Sequence, residues 1–428
     1  MISDQAVIAD RRAIEALRNG VPNCDAVRAL GCNQPDVETR FHEQLAAVAA
    51  ATAGDGQVRG LLVAGGFGSG KSHLLEYLED LALKQNFVVS RVVISKETPL
   101  YDPAKVFRAA VESANVPGRT GAAIPEIALK LRQDSGPYAE LYKWANHPDS
   151  GVAALFPATL MLHERLNNDP EFAELIRNFW AGDPLPISRV REGLRQIGEA
   201  AAFSLKSVKA RDLTEQRFAF VSRLIQGAGY RGWILLIDEV ELVGRYSLLQ
   251  RGKSYAELAR WLGRVEGLQV PGVTTVAAVT DDFALAVLQQ KGDRDYVGAK
   301  LRDRGTDEFR TLAARAEAGM RIIEREAITL RPPTKETLLE TYERLKGIHA
   351  RAYAWDPPAI GSADLATSRA MRSHVRRWIN EWDLKRLFPG ATVDTEEQEL
   401  RPTYEEDLAL EELPSGTSDG AADAGGEL

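Results

Sequence analysis

The sequence predicts an α/β protein built on a parallel sheet, and three observations carry that expectation. Arg59-Gly60-Leu61-Leu62-Val63-Ala64 is a short apolar run ending in glycines, and the segment after it carries Leu74, Leu78 and Leu81 at helical spacing. A second apolar run from Phe87 to Ile94 completes a strand–loop–helix–strand unit. Strand signals then return at Trp233–Ile237, at Thr274–Val279 and, more weakly, at Ala327–Leu330.

The other segments arrange themselves around these strands. Residues 1–50 read as an N-terminal helical segment with a break at Gly20-Val21-Pro22-Asn23. Residues 51–330 hold all the strands, and within them 100–228 read as a helical insertion punctuated at Pro117-Gly118, Gly136-Pro137, His147-Pro148 and Pro184-Leu185-Pro186. Pro332-Pro333 closes the last strand, so 331–390 is expected to be a small helical lid. Residues 391–428 are expected to form an acidic disordered tail, because their composition offers little apolar surface to offset the entropy of ordering.

Composition narrows the class. At 428 residues and 44% hydrophobic content the chain can bury a large core. It has no run of eighteen apolar residues, and its N-terminus lacks the features of a signal peptide. Cys24 and Cys32 form neither a disulfide framework nor a zinc spacing. A cytoplasmic protein with no membrane partner is expected. From Asp394 onward there are twelve acids and one base, a net −11. The rest of the chain therefore carries +3 of the whole-chain −8, and the acidity belongs to the tail.

The chemistry begins after the first strand. Gly65-Gly66-Phe67-Gly68-Ser69-Gly70-Lys71-Ser72 fits the phosphate-binding pattern G-x-x-x-x-G-K-[ST] in full, between a buried strand and an amphipathic helix. Glycines let backbone N–H groups converge on one point, and the following helix N-terminus adds positive potential there. ATP contacts are expected from Gly65, Gly66, Phe67, Gly68, Ser69, Gly70, Lys71, Ser72 and the adjoining His73. Lys71 is expected at the β- and γ-phosphates, and Ser72 on Mg²⁺.

Ile234-Leu235-Leu236-Ile237-Asp238-Glu239 delivers two carboxylates to the end of an apolar strand, where α/β sheets place ligands. Asp238 is expected to hold the Mg²⁺ water shell and Glu239 to polarise the attacking water, while Glu241 reads as a solvated helix residue. Thr280, ending the next strand, is expected to sense the γ-phosphate. Arg369, Arg372 and Arg376 share one face of the last long helix, and Met371, Val375, Trp378 and Trp382 share another, roughly 120° away. Arg369, nearest the helix start, is the sensor arginine expected there. Arg321 is the first candidate for an intersubunit arginine finger, with Arg325, Arg302, Arg304 and Arg310 behind it. Gly244–Arg264 interleaves Arg245, Arg251, Lys253, Arg260 and Arg264 with Tyr246, Tyr255 and Trp261. That pattern suits either a helix with a solvated basic side or a nucleic-acid contact.

In order, the P-loop, the Asp-Glu strand, the Thr strand, the Pro-Pro boundary and the Arg-bearing helix resemble AAA+ ATPases of the origin-recognition and related bacterial branch. The fold so implied is an AAA+ P-loop three-layer sheet domain with a large helical insertion and a small helical lid. Longer stretches narrow the resemblance: Ala13–Pro22, Ile94–Tyr101, Gly229–Trp233 and Arg251–Tyr255 look like the BrxD-type ATP-binding proteins of BREX (bacteriophage exclusion) systems. That resemblance spans about residues 5–390. It implies ATP and Mg²⁺ as ligands, a homo-oligomer, a role in phage defence and other BREX proteins as partners, with DNA as a further candidate. Too little chain follows the lid for a winged-helix domain, so sequence-specific DNA binding of its own is not expected. Two other functions fit the residues: a nucleotide-held scaffold with little turnover, and a DNA loader or remodeller outside defence.

Overall fold

The computed structural model describes residues 4–51, 56–119, 123–359, 370–390 and 403–410. In chain order the helices α1 (Asp4–Asn19), α2 (Cys24–Leu30) and α3 (Pro35–Ala50) lead into β1 (Leu61–Ala64), α4 (Lys71–Lys84) and β2 (Val88–Val93). Seven helices follow: α5 (Pro103–Glu112), α6 (Ala123–Lys130), α7 (Gly136–Ala145), α8 (Leu155–Arg165), α9 (Pro170–Ala181), α10 (Ile187–Gln196) and α11 (Ala210–Gly227). The chain then returns to the sheet with β3 (Trp233–Asp238), α12 (Leu248–Trp261) and β4 (Val273–Val279). It ends with α13 (Asp293–Arg302), α14 (Asp307–Arg325), β5 (Ile328–Thr329), α15 (Lys335–Tyr353) and α16 (Met371–Leu387).

The five strands form one parallel sheet in the order β2-β3-β4-β1-β5. Each strand coincides with an apolar run of the sequence. In β1, β3 and β4, burial on both faces explains why those runs do not alternate with polar residues. Leu62, Ala64, Leu235, Ile237, Ala277 and Val279 point to the face covered by the insertion, α12 and α14. Val63, Ile234, Leu236, Val276 and Ala278 point to the face covered by α3 and α4. The result is three layers, helix–sheet–helix, with the seven-helix insertion continuing the core of one outer layer.

The chain leaves β1 for β2, which lies beyond β4 and β3. The C-terminal ends of β1 and β4 therefore flank a topological switch point, where open α/β sheets form a crevice for ligands. In register, Ala64 is paired with Val279 and Val93 with Asp238. That pairing brings the P-loop, the Asp-Glu pair and Thr280 to one edge of the sheet.

The N-terminal helices divide between two bodies. α3 belongs to the sheet, whereas Ala13, Ile14 and Leu17 of α1 share a separate core with α15 and α16, including Leu338, Leu345, Trp378 and Trp382. Arg18 fixes this body through Asp383 at 2.5 Å, which also accepts from His349 at 3.1 Å. The helix pair after the Pro-Pro boundary is thus built around the N-terminus as well as its own apolar faces. Helix α16 buries Val375, Trp378 and Trp382, as their shared face in the sequence predicts.

The acidic C-terminal stretch departs from expectation over residues 403–410. These pack on the sheet domain, with Tyr404 and Leu410 against its apolar core. Composition argued for solvation, but specific ion pairs to Arg245 and Arg251 hold the segment in place. Residues 391–402 and 411–428 lie outside the described residues.

Candidate functional site

The P-loop closes tightly after β1. Gly65 N donates to Val279 O at 3.1 Å, locking the loop to the end of β4, and Ser69 N donates to Gly66 O at 3.1 Å. Gly68 and Gly70 take φ of +75° and +103°, a region that side chains disfavour. The second of these opens directly into α4, whose N-terminal amides face the loop. Lys71 is buried and its Nζ donates to Gly65 O at 2.9 Å. The Ser69 hydroxyl is buried with no partner among the described residues.

Asp238 and Glu239 stand beside this loop. Asp238 is buried at the end of β3; its Oδ1 accepts from Glu239 N at 3.0 Å, and its Oδ2 lies 3.3 Å from Arg91 Nη2. Arg91 also donates to Glu76 at 2.7 Å and to Ser72 O at 3.2 Å, so one guanidinium ties the strand-end acid to the P-loop helix. Burial pushes Glu76 up to about 7, and its neighbour Glu79 adds to the rise while Arg91 opposes it.

Glu239 sits at φ 61°, ψ 33°, the left-handed region, which is uncommon for a residue with a Cβ. Such backbone strain persists where the surroundings over-determine it. The conformation turns Glu239 out of the strand toward the cleft. Partial desolvation there raises its pKa, Asp238 adds to the rise, and Lys71 and Arg372 oppose it.

Glu241 is not solvated. It lies in a 3₁₀ turn, Val240–Arg245, that folds under the P-loop; it is 8% exposed and its Oε1 is 3.6 Å from Lys71 Nζ. Burial raises its pKa to about 7 against the pull of Lys71. The helix expected there would have carried Glu241 into water, whereas the tighter turn, anchored by buried Val240 and Val243, carries it inward.

Across the cleft, Arg372 reaches the P-loop from α16. Its backbone N donates to Gly68 O at 3.4 Å, its Nη2 donates to Gly20 O at 3.1 Å, and its guanidinium lies 5.6 Å from the Phe67 ring centroid. Arg369, the sensor arginine expected from sequence, lies outside the described residues; Arg376, one turn after Arg372 on α16, is exposed. Arg321 is exposed on α14. His73 donates from Nε2 to Gly31 O at 2.8 Å, and burial lowers its pKa. It therefore braces the α2–α3 turn against the P-loop helix. Thr280 is buried, and its hydroxyl is 2.5 Å from that of Tyr404.

The Gly244–Arg264 stretch offers no aromatic platform. Tyr246, Tyr255 and Trp261 are each at most 1% exposed. Arg251 and Arg260 are buried too, Arg251 against Asp293 and Arg260 near Glu257 at 3.3 Å, so neither a solvated basic side nor base stacking describes this helix.

A cavity of about 300 Å³ runs along these residues. The P-loop from Phe67 to Leu74, Glu239, Glu241 and Arg372 line one part of it. The turn Gly31–Gln34, Leu330, Arg331, Pro333 and Arg344 line another, mixing polar and apolar side chains. This fits a nucleotide: an amide-rich cradle with a lysine and an arginine for phosphates, and a mixed wall for a base. Ser72 and Asp238, both at the cradle, are oxygen donors of the type that Mg²⁺ takes. Among the described residues no helix is long and apolar enough to cross a membrane.

Neither a curated protein nor a solved structure significantly matches the chain. The family described as "BREX system ATP-binding protein BrxC/D" matches residues 8–184 and 208–381, the break falling in the insertion around α10. The match takes in the P-loop, the Asp-Glu strand, Thr280 and α16 as far as Glu381, and the chain belongs to this family of BREX-system ATP-binding proteins.

Proposed function

We propose that this ATP-binding BREX protein hydrolyses ATP and works as a cytoplasmic switch or motor on its partner BREX proteins. The observation that carries the reading is Glu239, held in a left-handed turn beside the buried Asp238 at the mouth of the P-loop cavity. A binding-only scaffold has no use for a second, strained carboxylate at that point.

In this reading Lys71 and the loop amides hold the β- and γ-phosphates, and Arg372 closes on them from α16. Ser72 and Asp238 hold Mg²⁺, which when bound neutralises charge on the phosphates. Glu239 orients and polarises the attacking water, and the partial desolvation that raises its pKa makes it a better proton acceptor. Thr280 reads the γ-phosphate. Exposed Arg321 serves a neighbouring copy's site in a homo-oligomer, and DNA contact, where it occurs, rests on phosphate recognition rather than base stacking.

Turnover of ATP with Mg²⁺ by wild type and Glu239→Gln tests the reading. The amide keeps the shape of the carboxylate but cannot accept a proton. ATP affinity should hold while turnover falls by about 10²-fold or more. Equal turnover in the two proteins would instead favour a nucleotide-held scaffold.

A further inference from the structure

Residues 403–410 bear directly on Thr280. The Tyr404 ring meets Phe283 edge-on, 5.8 Å between centroids at 90°. It also lies so close to Gly244 that a Cβ there would stand 2.8 Å from Tyr404 Cδ1. Lys291 Nζ bridges Tyr404 O at 2.9 Å and Gly244 O at 2.8 Å. Further along, Glu406 accepts from Arg251 Nη1 at 2.7 Å and Asp407 accepts from Arg245 Nη2 at 2.5 Å. The Asp407 amide donates to Arg245 O at 3.0 Å. An acidic segment is thus seated on three cations, Arg245, Arg251 and Lys291.

The hydroxyl contacts have only one consistent proton count. Tyr404 OH is 2.5 Å from Thr280 Oγ1 and 2.8 Å from Asp282 Oδ1. A carboxylate accepts, so Tyr404 gives its single proton to Asp282. Thr280 must then give its own single proton to the Tyr404 oxygen. While the segment is docked, the Thr280 hydroxyl has no proton left for a phosphate oxygen or a water.

We propose that residues 403–410 are an autoinhibitory latch: docked, Tyr404 consumes the Thr280 proton, and ATP turnover proceeds when the latch leaves. The proposal rests on the reading of Thr280 as the γ-phosphate sensor. The γ-phosphate competes for the same proton, and its charge opposes the Glu405-Glu406-Asp407 run nearby. ATP therefore loosens the latch more than ADP does. By reciprocity, a loosened latch raises ATP affinity by the same factor.

The test uses the full chain in four forms: wild type, Tyr404→Phe, Glu406→Gln with Asp407→Asn, and Tyr404→Phe with Thr280→Val. Steady-state ATP turnover with Mg²⁺ is measured alongside hydrogen exchange of the Asp407 amide without nucleotide, with ADP and with a non-hydrolysable ATP analogue. Tyr404→Phe keeps the ring and deletes the proton acceptor; it should raise turnover by about 2- to 10-fold, the range of one hydrogen bond. The double anchor variant should do the same and exchange faster, and Thr280→Val should erase the gain. Unchanged or lower turnover in Tyr404→Phe, with the anchor variant exchanging freely, overturns the latch. If no form turns over ATP, the hydrolysis reading has failed, and exchange alone decides. Faster Asp407 exchange with the ATP analogue than with ADP supports the latch, and equal exchange overturns it.

Discussion

Glu241 Oε1 lies 3.6 Å from Lys71 Nζ, both side chains buried beneath the P-loop. The lysine that phosphates require is therefore already held by a carboxylate of its own chain. Because burial raises Glu241 to about 7, its charge is lost just below neutrality. A raised carboxyl pKa contributes stability at low pH that disappears as pH rises through the folded value. Glu241→Gln should thus be neutral near pH 5 and stabilising by about 1–3 kcal/mol at pH 8, since a shift of one unit is about 1.4 kcal/mol. It should also tighten ATP at pH 8, by about tenfold at most, through release of Lys71. Because Glu76 titrates in the same window, the quantity to measure is the difference between variant and wild type in melting temperature and ATP affinity. A difference independent of pH would disprove the assignment.

Lys71→Ala should abolish measurable ATP binding by calorimetry. The substitution removes charge-assisted contacts to the phosphates, each roughly twice as strong as a neutral hydrogen bond. It also strands Glu241, whose pKa then rises further, so a gain in melting temperature toward low pH should accompany the loss of binding. Retained ATP affinity would move the phosphate site away from the P-loop.

How much of this was legible in the sequence depended on whether the signal was local. The strands and the P-loop were, because an apolar run bounded by glycines and a fixed loop spacing carry their meaning within ten residues. Arg91 was not: it is one charge inside an apolar strand, and its partners Glu76 and Asp238 lie 15 and 147 residues away. Glu241 was misread because a 3₁₀ turn and a helix differ little in composition, while their side chains point in different directions. The buried arginines of α12 looked solvated because Asp293, which satisfies Arg251, is 42 residues downstream. Tyr404 sits in a stretch whose composition speaks for water, and only its docking 124 residues back on Thr280 gives it a role.

Arg91→Met should destabilise the protein by about 3 kcal/mol, the cost of breaking a buried ion pair from one side. The loss should be larger at pH 8 than at pH 6. Below about 7 Glu76 is protonated and needs its counter-ion less; above that value its charge and that of buried Asp238 are both left facing apolar surroundings. Denaturant unfolding at the two pH values measures it. A loss of the same size at both would show that Arg91 acts through packing of its stem rather than through charge.

Arg372→Ala should weaken ATP more than ADP. Arg372 is the one described arginine that reaches the P-loop from α16, and it already bonds Gly20 O while lying over Phe67. Its planar fork can keep those contacts with one edge and take phosphate oxygens with the other, which a lysine cannot. One to two charged hydrogen bonds to the γ-phosphate are worth about 1.5–3 kcal/mol each, so ATP affinity should fall about ten- to a hundredfold or more. ADP should lose less than threefold, and Arg372→Lys should recover only part of the ATP affinity. Calorimetric titration of both nucleotides, with the melting temperature as a control, separates the cases. Equal losses for ATP and ADP, together with a lower melting temperature, would mean that Arg372 merely packs α16 against the Gly20 turn. The γ-phosphate would then be read by another group, and Arg369→Ala, tested the same way, would be the next variant to compare.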